Sequence, residues 1–240
     1  MTVLPPPEEK AVYVEQMFTR IAPYYDRMNR LLTFGMDESW REFAVNAVAP
    51  PVNGRALDVG CGTGDFLVNL APWMPDGIAV GVDYTLSMMQ TGRAKIDALN
   101  AQVSFVGSDA LCLPFADNTF DVITTGFMMR NVTDIDQAFR EMWRVARPGC
   151  VLACLEVAHP RNSLLRWGHT IYFRRLVPLL ARLWGADATA YTYLPESARD
   201  FPPPNALARI MQQAGWQNVH YTLLGFGAVA VHTGWKQEVM

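Results

Sequence analysis

ALDVGCGTGDF, residues 56–66, places three glycines within five positions, Gly60, Gly62 and Gly64, directly after an apolar run. An apolar run, a glycine-rich turn and a helical segment in this order are typical of the first βα unit of a parallel sheet. Glycine lets the backbone of such a turn approach a ligand closely, and the start of the next helix directs N–H groups at that ligand. The stretch therefore predicts an α/β fold with a ligand site at this turn, although a tight turn without a ligand is the alternative.

Strand and helix patterns alternate on the carboxyl side of the turn. Continuous apolar runs predict strands at 54–60, 77–84, 103–109, 120–127 and 150–160. Helical patterns lie between them: one helix begins at 65, a second spans 85–99, and a third occupies the segment before 149. In that last segment Thr133 and Asp136 have the spacing of a capping box, and Pro148-Gly149 is predicted to end the helix. Apolar strands that alternate with helices indicate a parallel sheet covered on both faces.

The amino-terminal part has a different pattern. Residues 1–8 are rich in proline and are predicted to be a disordered tail. Helical periodicity extends from about 9 to 48, with breaks near Pro23 and at Gly35, and Pro50-Pro51 closes it. The fold prediction therefore adds amino-terminal helices to the sheet.

Composition excludes several classes of function. The chain has 240 residues, 50% of them hydrophobic, which is enough for one well-packed α/β domain. A net charge of −3 gives no electrostatic case for a nucleic-acid partner. The four cysteines lack C-x-x-C spacing, so neither a metal site nor a disulfide framework is predicted, and a reducing cytoplasm fits best. No signal peptide or membrane-spanning run is recognisable.

Acidic residues beside the turn favour S-adenosylmethionine over a dinucleotide. A dinucleotide fingerprint would carry its third glycine where this chain has Asp65. Asp58, inside the strand, suits the ammonium of a methionine moiety, and Asp83 suits the two hydroxyls of a ribose. Asp109-Ala110 follows the third strand, where a carboxylate and a backbone N–H can meet adenine. Asp83 and Asp109 could instead be helix caps or turn formers.

Two levels of resemblance follow from these motifs. The D-x-G-x-G-x-G motif, the acidic end of the second strand and DALCLPFADNTFDVI at 109–123 stand in the order found in class I methyltransferases. From about residue 14 to 236 the chain further resembles the ubiquinone/menaquinone biosynthesis C-methyltransferases. That resemblance rests on blocks at 18–41, 130–149, 155–160 and 191–202, of which RNVTD and YTYLPES are the most specific.

The resemblance implies both architecture and activity. We expect a Rossmann-like, mostly parallel seven-stranded sheet with helices on both faces, within one domain at 9–240. A helical cap at 9–50 and a helical insertion at 161–205, after the fifth strand, would complete it. The implied reaction methylates a ring carbon of a prenylated quinol, such as demethylmenaquinol, and a homodimer is left open. A soluble phenolic substrate, a nicotinamide oxidoreductase and a non-catalytic subunit with the same fold are the alternatives.

The predicted cofactor contacts combine the glycine motif with the family's pattern. They are Asp58, Gly60, Gly62, Thr63, Gly64, Asp83, Tyr84, Asp109 and Ala110. This chain departs from the family at two places: Gly126 replaces a serine that usually touches the cofactor, and Met128-Met129 replaces Gly-Leu or Gly-Ile before RN.

The chemistry of a quinol assigns roles to five further residues. A phenol has a pKa of roughly 10, so methylation at carbon needs a group that favours the phenolate. Arg130 can stabilise the developing oxyanion, and Asn131 can position the ring oxygen, although a strand-end turn is their simpler explanation. The proton is expected to leave through water to Tyr25, Asp26 or His159, of which the first two could equally serve helix packing.

The segment 161–184 carries five arginines and no acidic residue among large apolar side chains. Such a segment could rest on an anionic bilayer at the inner face of the membrane, where a polyprenyl tail resides. A helix that covers the pocket with its arginines in solvent is the alternative.

Overall fold

A computed structural model describes residues 5–99, 101–158, 193 and 196–237 of the chain. Within these residues a seven-stranded sheet has the order β3-β2-β1-β4-β5-β7-β6. The strands are β1 Arg55–Val59, β2 Ile78–Asp83, β3 Gln102–Gly107, β4 Phe120–Gly126, β5 Ala146–Val157, β6 Gln217–Leu224 and β7 Val229–Trp235. Only β7 runs antiparallel to its neighbours. The predicted mostly parallel sheet is confirmed, and its order reverses between β1 and β4.

Helices cover both faces of this sheet. They are α1 Lys10–Ile21, α2 Tyr25–Leu32, α3 Met36–Val48, α4 Asp65–Leu70, α5 Leu86–Asp97, α6 Ile135–Val145 and α7 Pro204–Gln213. Because strand side chains alternate, Leu57 of β1 packs with Phe139 of α6, whereas the adjacent Ala56 packs with Val45 of α3 and Leu67 of α4. The helices α3, α4 and α5 lie on one face, and α6 and α7 lie on the other.

The amino-terminal helices break where the sequence predicts. Pro23 lies in a short 3-10 turn, Ala22–Tyr24, between α1 and α2, and Gly35 is left-handed with φ 76° before α3. Another 3-10 turn, Pro7–Glu9, overlaps the predicted tail. The helix α3 packs on the sheet, whereas α1 and α2 form a smaller apolar cluster with Tyr193. The proposed division into tail, cap and insertion stays a prediction.

The boundaries of α6 differ from the prediction at both ends. Asp134, not Thr133, caps the helix, because its carboxylate accepts a 2.9 Å hydrogen bond from the backbone N–H of Gln137. The helix ends at Val145 because Ala146 pairs with Phe120 in the sheet. Pro148-Gly149 therefore lies inside β5 rather than at the helix end. Sheet pairing overrides the local stop signal here.

Two predicted features lie largely or wholly outside the described residues. The first is the insertion predicted at 161–205, most of which is not described, including all of the basic segment 161–184. The second is His159. In the ranges that are described, no helix combines the length and hydropathy needed to cross a bilayer.

Candidate active site

The glycine turn after β1 needs glycine for both conformation and space. Gly60, Gly62 and Gly64 have φ values of 72°, 54° and 88°, a region that other residues rarely adopt. A Cβ atom at Gly60 would lie 2.2 Å from Cγ of Met128, and one at Gly64 would lie 2.9 Å from Cδ1 of Ile96. The turn therefore brings its backbone against the loop that follows β4.

Asp83 ties the end of β2 to this turn. Its carboxylate accepts hydrogen bonds of 2.8 Å from the backbone N–H groups of Gly62 and Thr85. Burial raises the pKa of Asp83, and these N–H donors act in the opposite direction. The carboxylate is thereby fixed beside the glycine backbone, where a ribose is predicted to bind.

Asp58 is a buried carboxylate beneath the turn. Only 1% of the residue is exposed, and the Thr124 hydroxyl donates a 2.8 Å hydrogen bond to its Oδ1 atom. Burial raises the pKa of Asp58 to about 7, and no described basic side chain forms an ion pair with it. A buried carboxylate without a cationic partner fits the ammonium that the sequence assigns to it.

A cavity open to solvent lies along the carboxyl ends of β1, β2 and β4. Eight predicted site residues line it: Gly60, Gly62, Asp83, Tyr84, Asp109, Ala110, Tyr25 and Asn131. Five others lie beside it without lining it: Asp58, Thr63, Gly64, Asp26 and Arg130. One cavity thus brings together residues predicted for the cofactor and residues predicted for the quinol.

The loop after β4 carries Arg130 and Asn131. The Arg130 guanidinium is buried, 3.3 Å from Oε2 of Glu156 and 5.7 Å from the ring centre of Phe127. Its neighbour Asn131 accepts a 3.3 Å hydrogen bond from the hydroxyl of Tyr193. Burial raises the pKa of Tyr25, and the charge of Arg130 acts against this effect. The charge of Arg130 therefore acts on a cavity-lining hydroxyl.

A family model described as the ubiE/COQ5 methyltransferase family matches residues 7–236. The chain belongs to the ubiE/COQ5 methyltransferase family. It is 63% identical to a demethylmenaquinone methyltransferase of Roseiflexus sp. (strain RS-1) over 98% of each chain. It is 41% identical to the demethylmenaquinone methyltransferase of Thermus thermophilus, over 91% of this chain and 99% of that one.

The fold also matches a solved structure from Thermotoga maritima, a SAM-dependent methyltransferase described as a possible histamine N-methyltransferase. The TM-score is 0.65 at 22% identity, and the match covers 92% of this chain and 99% of that one. The predicted family and the Rossmann-like methyltransferase fold are both confirmed.

In this member of the ubiE/COQ5 family, an ion cluster joins the amino-terminal helices to the glycine turn. Asp26 of α2 pairs with Lys95 of α5 at 2.9 Å and accepts a 2.6 Å hydrogen bond from the Thr63 hydroxyl. Lys95 also pairs with Asp65, which Arg41 of α3 contacts at 3.2 Å. These contacts make Asp26 and Thr63 part of the link between the helices and the turn, and their predicted catalytic and cofactor roles stay predictions.

Several residues of this site are missing from the sequence-based set. Ala11, Val14 and Phe18 of α1 line the cavity, and their helical spacing is a signal that could have identified them. Lys10 donates hydrogen bonds to the carbonyls of Arg130 at 3.1 Å and Val132 at 2.7 Å. Glu156 stands alone in an apolar strand, which is a second usable signal. The pairing partners Lys95 and Arg41 gave no comparable signal.

The pKa of Asp58 predicts a pH dependence of cofactor binding. Below about pH 7 the carboxylate is protonated and the cofactor's ammonium loses its counter-charge, so binding must release a proton. We expect the affinity for S-adenosylhomocysteine, measured by calorimetry from pH 5.5 to 8.5, to weaken about tenfold for each pH unit below 7.

Asp58→Asn is the matched control for this dependence. It should bind S-adenosylhomocysteine more weakly, with little dependence on pH in the same range. An unchanged slope in Asp58→Asn would assign the proton to another group, with Asp83 as the neighbouring carboxylate of raised pKa.

Proposed function

We propose that this chain transfers the methyl group of S-adenosylmethionine to a ring carbon of a prenylated quinol and converts demethylmenaquinol to menaquinol. The observation that carries the proposal is one cavity, which joins the glycine turn and its carboxylates to an apolar wall and to the loop after β4 that carries Arg130 and Asn131, here called the RN loop. The name of the Roseiflexus relative, at 63% identity over 98% of each chain, supports a naphthoquinol ring.

The chain offers a complete set of partners for the cofactor. Asp58 would hold its ammonium, Asp83 its ribose hydroxyls, and Asp109 with the backbone of Ala110 its adenine. The backbone of the glycine turn would lie against its methionine part, and Tyr84 would contact it from the cavity wall. When bound, S-adenosylmethionine supplies an electrophilic methyl group on a sulfonium.

The acceptor carbon becomes nucleophilic when a ring hydroxyl loses its proton. The permanent charge of Arg130 would stabilise the developing oxyanion, and Asn131 would orient the ring oxygen. Since burial raises the pKa of Tyr25, its hydroxyl stays protonated at neutral pH and would relay the proton to water rather than hold it. Asp26 already pairs with Lys95, which makes it a second choice.

The apolar wall would serve positioning. The side chains of Ala11, Val14, Phe18, Phe127 and Met128 face the cavity. An apolar wall excludes water and holds a flat ring in one place, and contact between two fixed reactants supplies much of the rate acceleration in such a displacement. A soluble phenol would fit the same wall, so only turnover separates the two substrate classes.

Location and assembly are part of the same proposal. The polyprenyl tail of the substrate resides in a bilayer, so we propose a cytoplasmic enzyme that contacts the inner face of the membrane peripherally through its basic segment at 161–184. A homodimer stays a prediction.

A methyl-transfer assay with three acceptors tests the substrate. Reduced demethylmenaquinone, a reduced demethoxyubiquinone precursor and a short-chain naphthoquinol analogue are supplied side by side, with product followed by mass spectrometry. We expect methylation of the two naphthoquinols. Turnover of the benzoquinol alone would change the assigned substrate from a naphthoquinol to a benzoquinol. Absence of product with all three acceptors would contradict the quinol proposal.

Arg130→Ala tests the oxyanion role. Loss of a preorganised charge at a developing oxyanion lowers kcat by about 100-fold or more, whereas affinity for S-adenosylhomocysteine should stay within about twofold. Arg140→Ala is the matched control, because Arg140 pairs with Asp136 on the exposed surface of α6. Near-normal turnover of Arg130→Ala would remove Arg130 from the mechanism.

Co-sedimentation with vesicles tests the membrane contact. We expect the protein to pellet with vesicles of anionic phospholipid and to remain in the supernatant with neutral vesicles or at high salt, because salt screens the attraction of arginines to the surface. Equal recovery in every supernatant would count against the membrane contact and leave the enzymatic proposal standing.

A further inference from the structure

Glu156 is the most buried carboxylate near the RN loop, and no predicted role covers it. It lies near the carboxyl end of β5 with 1% of its surface exposed, between buried apolar residues such as Leu155 and the partly buried Val157. A carboxylate inside an apolar strand is costly unless other groups compensate its charge. Its position therefore calls for a specific set of partners.

These partners belong to the loop that carries Arg130 and Asn131. Oε2 of Glu156 lies 3.3 Å from Nη1 of Arg130 and accepts a 3.1 Å hydrogen bond from the N–H of Val157. Burial raises the pKa of Glu156, and the Arg130 charge and the backbone N–H groups of Arg130 and Met129 act in the opposite direction. Oε2 thus contacts the Arg130 side chain, whereas the buried Oε1 makes no hydrogen bond to any described residue.

The guanidinium keeps donors for another partner. Nε of Arg130 is buried and makes no hydrogen bond to any residue within the described ranges, while Nη1 is directed at Glu156. Arginine has a planar fork of five N–H donors at the end of a flexible chain, so a fixed contact at one nitrogen sets the direction of the others. The contact with Glu156 therefore orients the donors that remain.

We infer that Glu156 is a positioning residue for methyl transfer, which fixes the Arg130 guanidinium and the start of its loop beside the cavity so that the charge of Arg130 is held where the quinol oxyanion develops. This inference rests on the proposed function. A purely electrostatic influence has the opposite sign: a negative charge beside Arg130 weakens the stabilisation of an oxyanion, so its removal alone would raise kcat. The sign of the change in kcat therefore separates the two effects.

A double-mutant cycle tests the inference. kcat, the KM for demethylmenaquinol and the Kd of S-adenosylhomocysteine are measured for wild type, Glu156→Gln, Arg130→Gln and the double variant. We expect Glu156→Gln to lower kcat at least about tenfold with the Kd within about twofold, because a neutral amide holds a guanidinium less firmly. In the Arg130→Gln background the same change should alter kcat less than about twofold.

Glu141→Gln is the matched control. Glu141 is also partly buried and paired with an arginine, Arg144, but both belong to α6 and bond to the backbone of Leu113 rather than to the loop that carries Arg130. It should keep the wild-type kcat. A kcat at or above the wild-type value in Glu156→Gln, or an equal fall in both Arg130 backgrounds, would overturn the inference.

Two further outcomes are also decisive. If Glu156→Gln does not fold, the comparison of Arg130→Gln with the double variant remains: equal kcat values support positioning through Arg130, and a further fall overturns it. If the wild-type enzyme methylates no quinol, the proposed function fails and this inference falls with it. Wild-type turnover with an unaffected Glu156→Gln overturns this inference alone.

Discussion

Burial of carboxylates at the carboxyl end of the parallel sheet is the constraint on which the site depends. A carboxylate out of water needs a hydrogen bond or an opposite charge, and each strand end supplies a different one. Asp58 of β1 has the Thr124 hydroxyl, and Asp83 of β2 has two backbone N–H groups. Glu156 of β5 has Arg130. These needs set the shape of the turn after β1 and the loop after β4.

Charge also attaches the amino-terminal helices to that sheet end. Lys95 contacts Asp26 and Asp65, so one cation bridges α2, α4 and α5. Residues 26 and 95 are distant in the chain, and their pairing follows from how helices pack rather than from any local pattern. Sequence reasoning could therefore see Asp26 and Asp65 only as isolated acids. The contacts of Asp26 and Asp65 with Lys95 hold α1 and α2 in the position in which Phe18 of α1 lines the cavity.

Local sequence patterns predicted the elements whose formation depends on neighbouring residues in the chain. Apolar runs located β1 to β4 closely because apolar residues predominate in these strands. They did not locate β6, whose exposed and partly buried residues alternate at the edge of the sheet, or the buried β7, whose short apolar stretch is followed by His232 and Thr233. The carboxyl end of α6 was wrong because sheet pairing of Ala146 precedes the stop signal at Pro148. Asp83 and Asp109 were placed well since parallel strands end at one edge.

The two departures from the family pattern have a common structural consequence. A Cβ atom at Gly126 would lie 2.6 Å from Cε2 of Phe66, so a serine at this position would force the buried ring to move. Met128, in turn, packs over Gly60. Both changes place apolar atoms against backbone that lines the cavity. In the proposed complex, polar recognition of the cofactor is thereby left to other groups, of which Asp58 is the most deeply buried. Less polar surroundings disfavour an unpaired charge, so the proposed pairing of the ammonium with the Asp58 carboxylate would stabilise both charges.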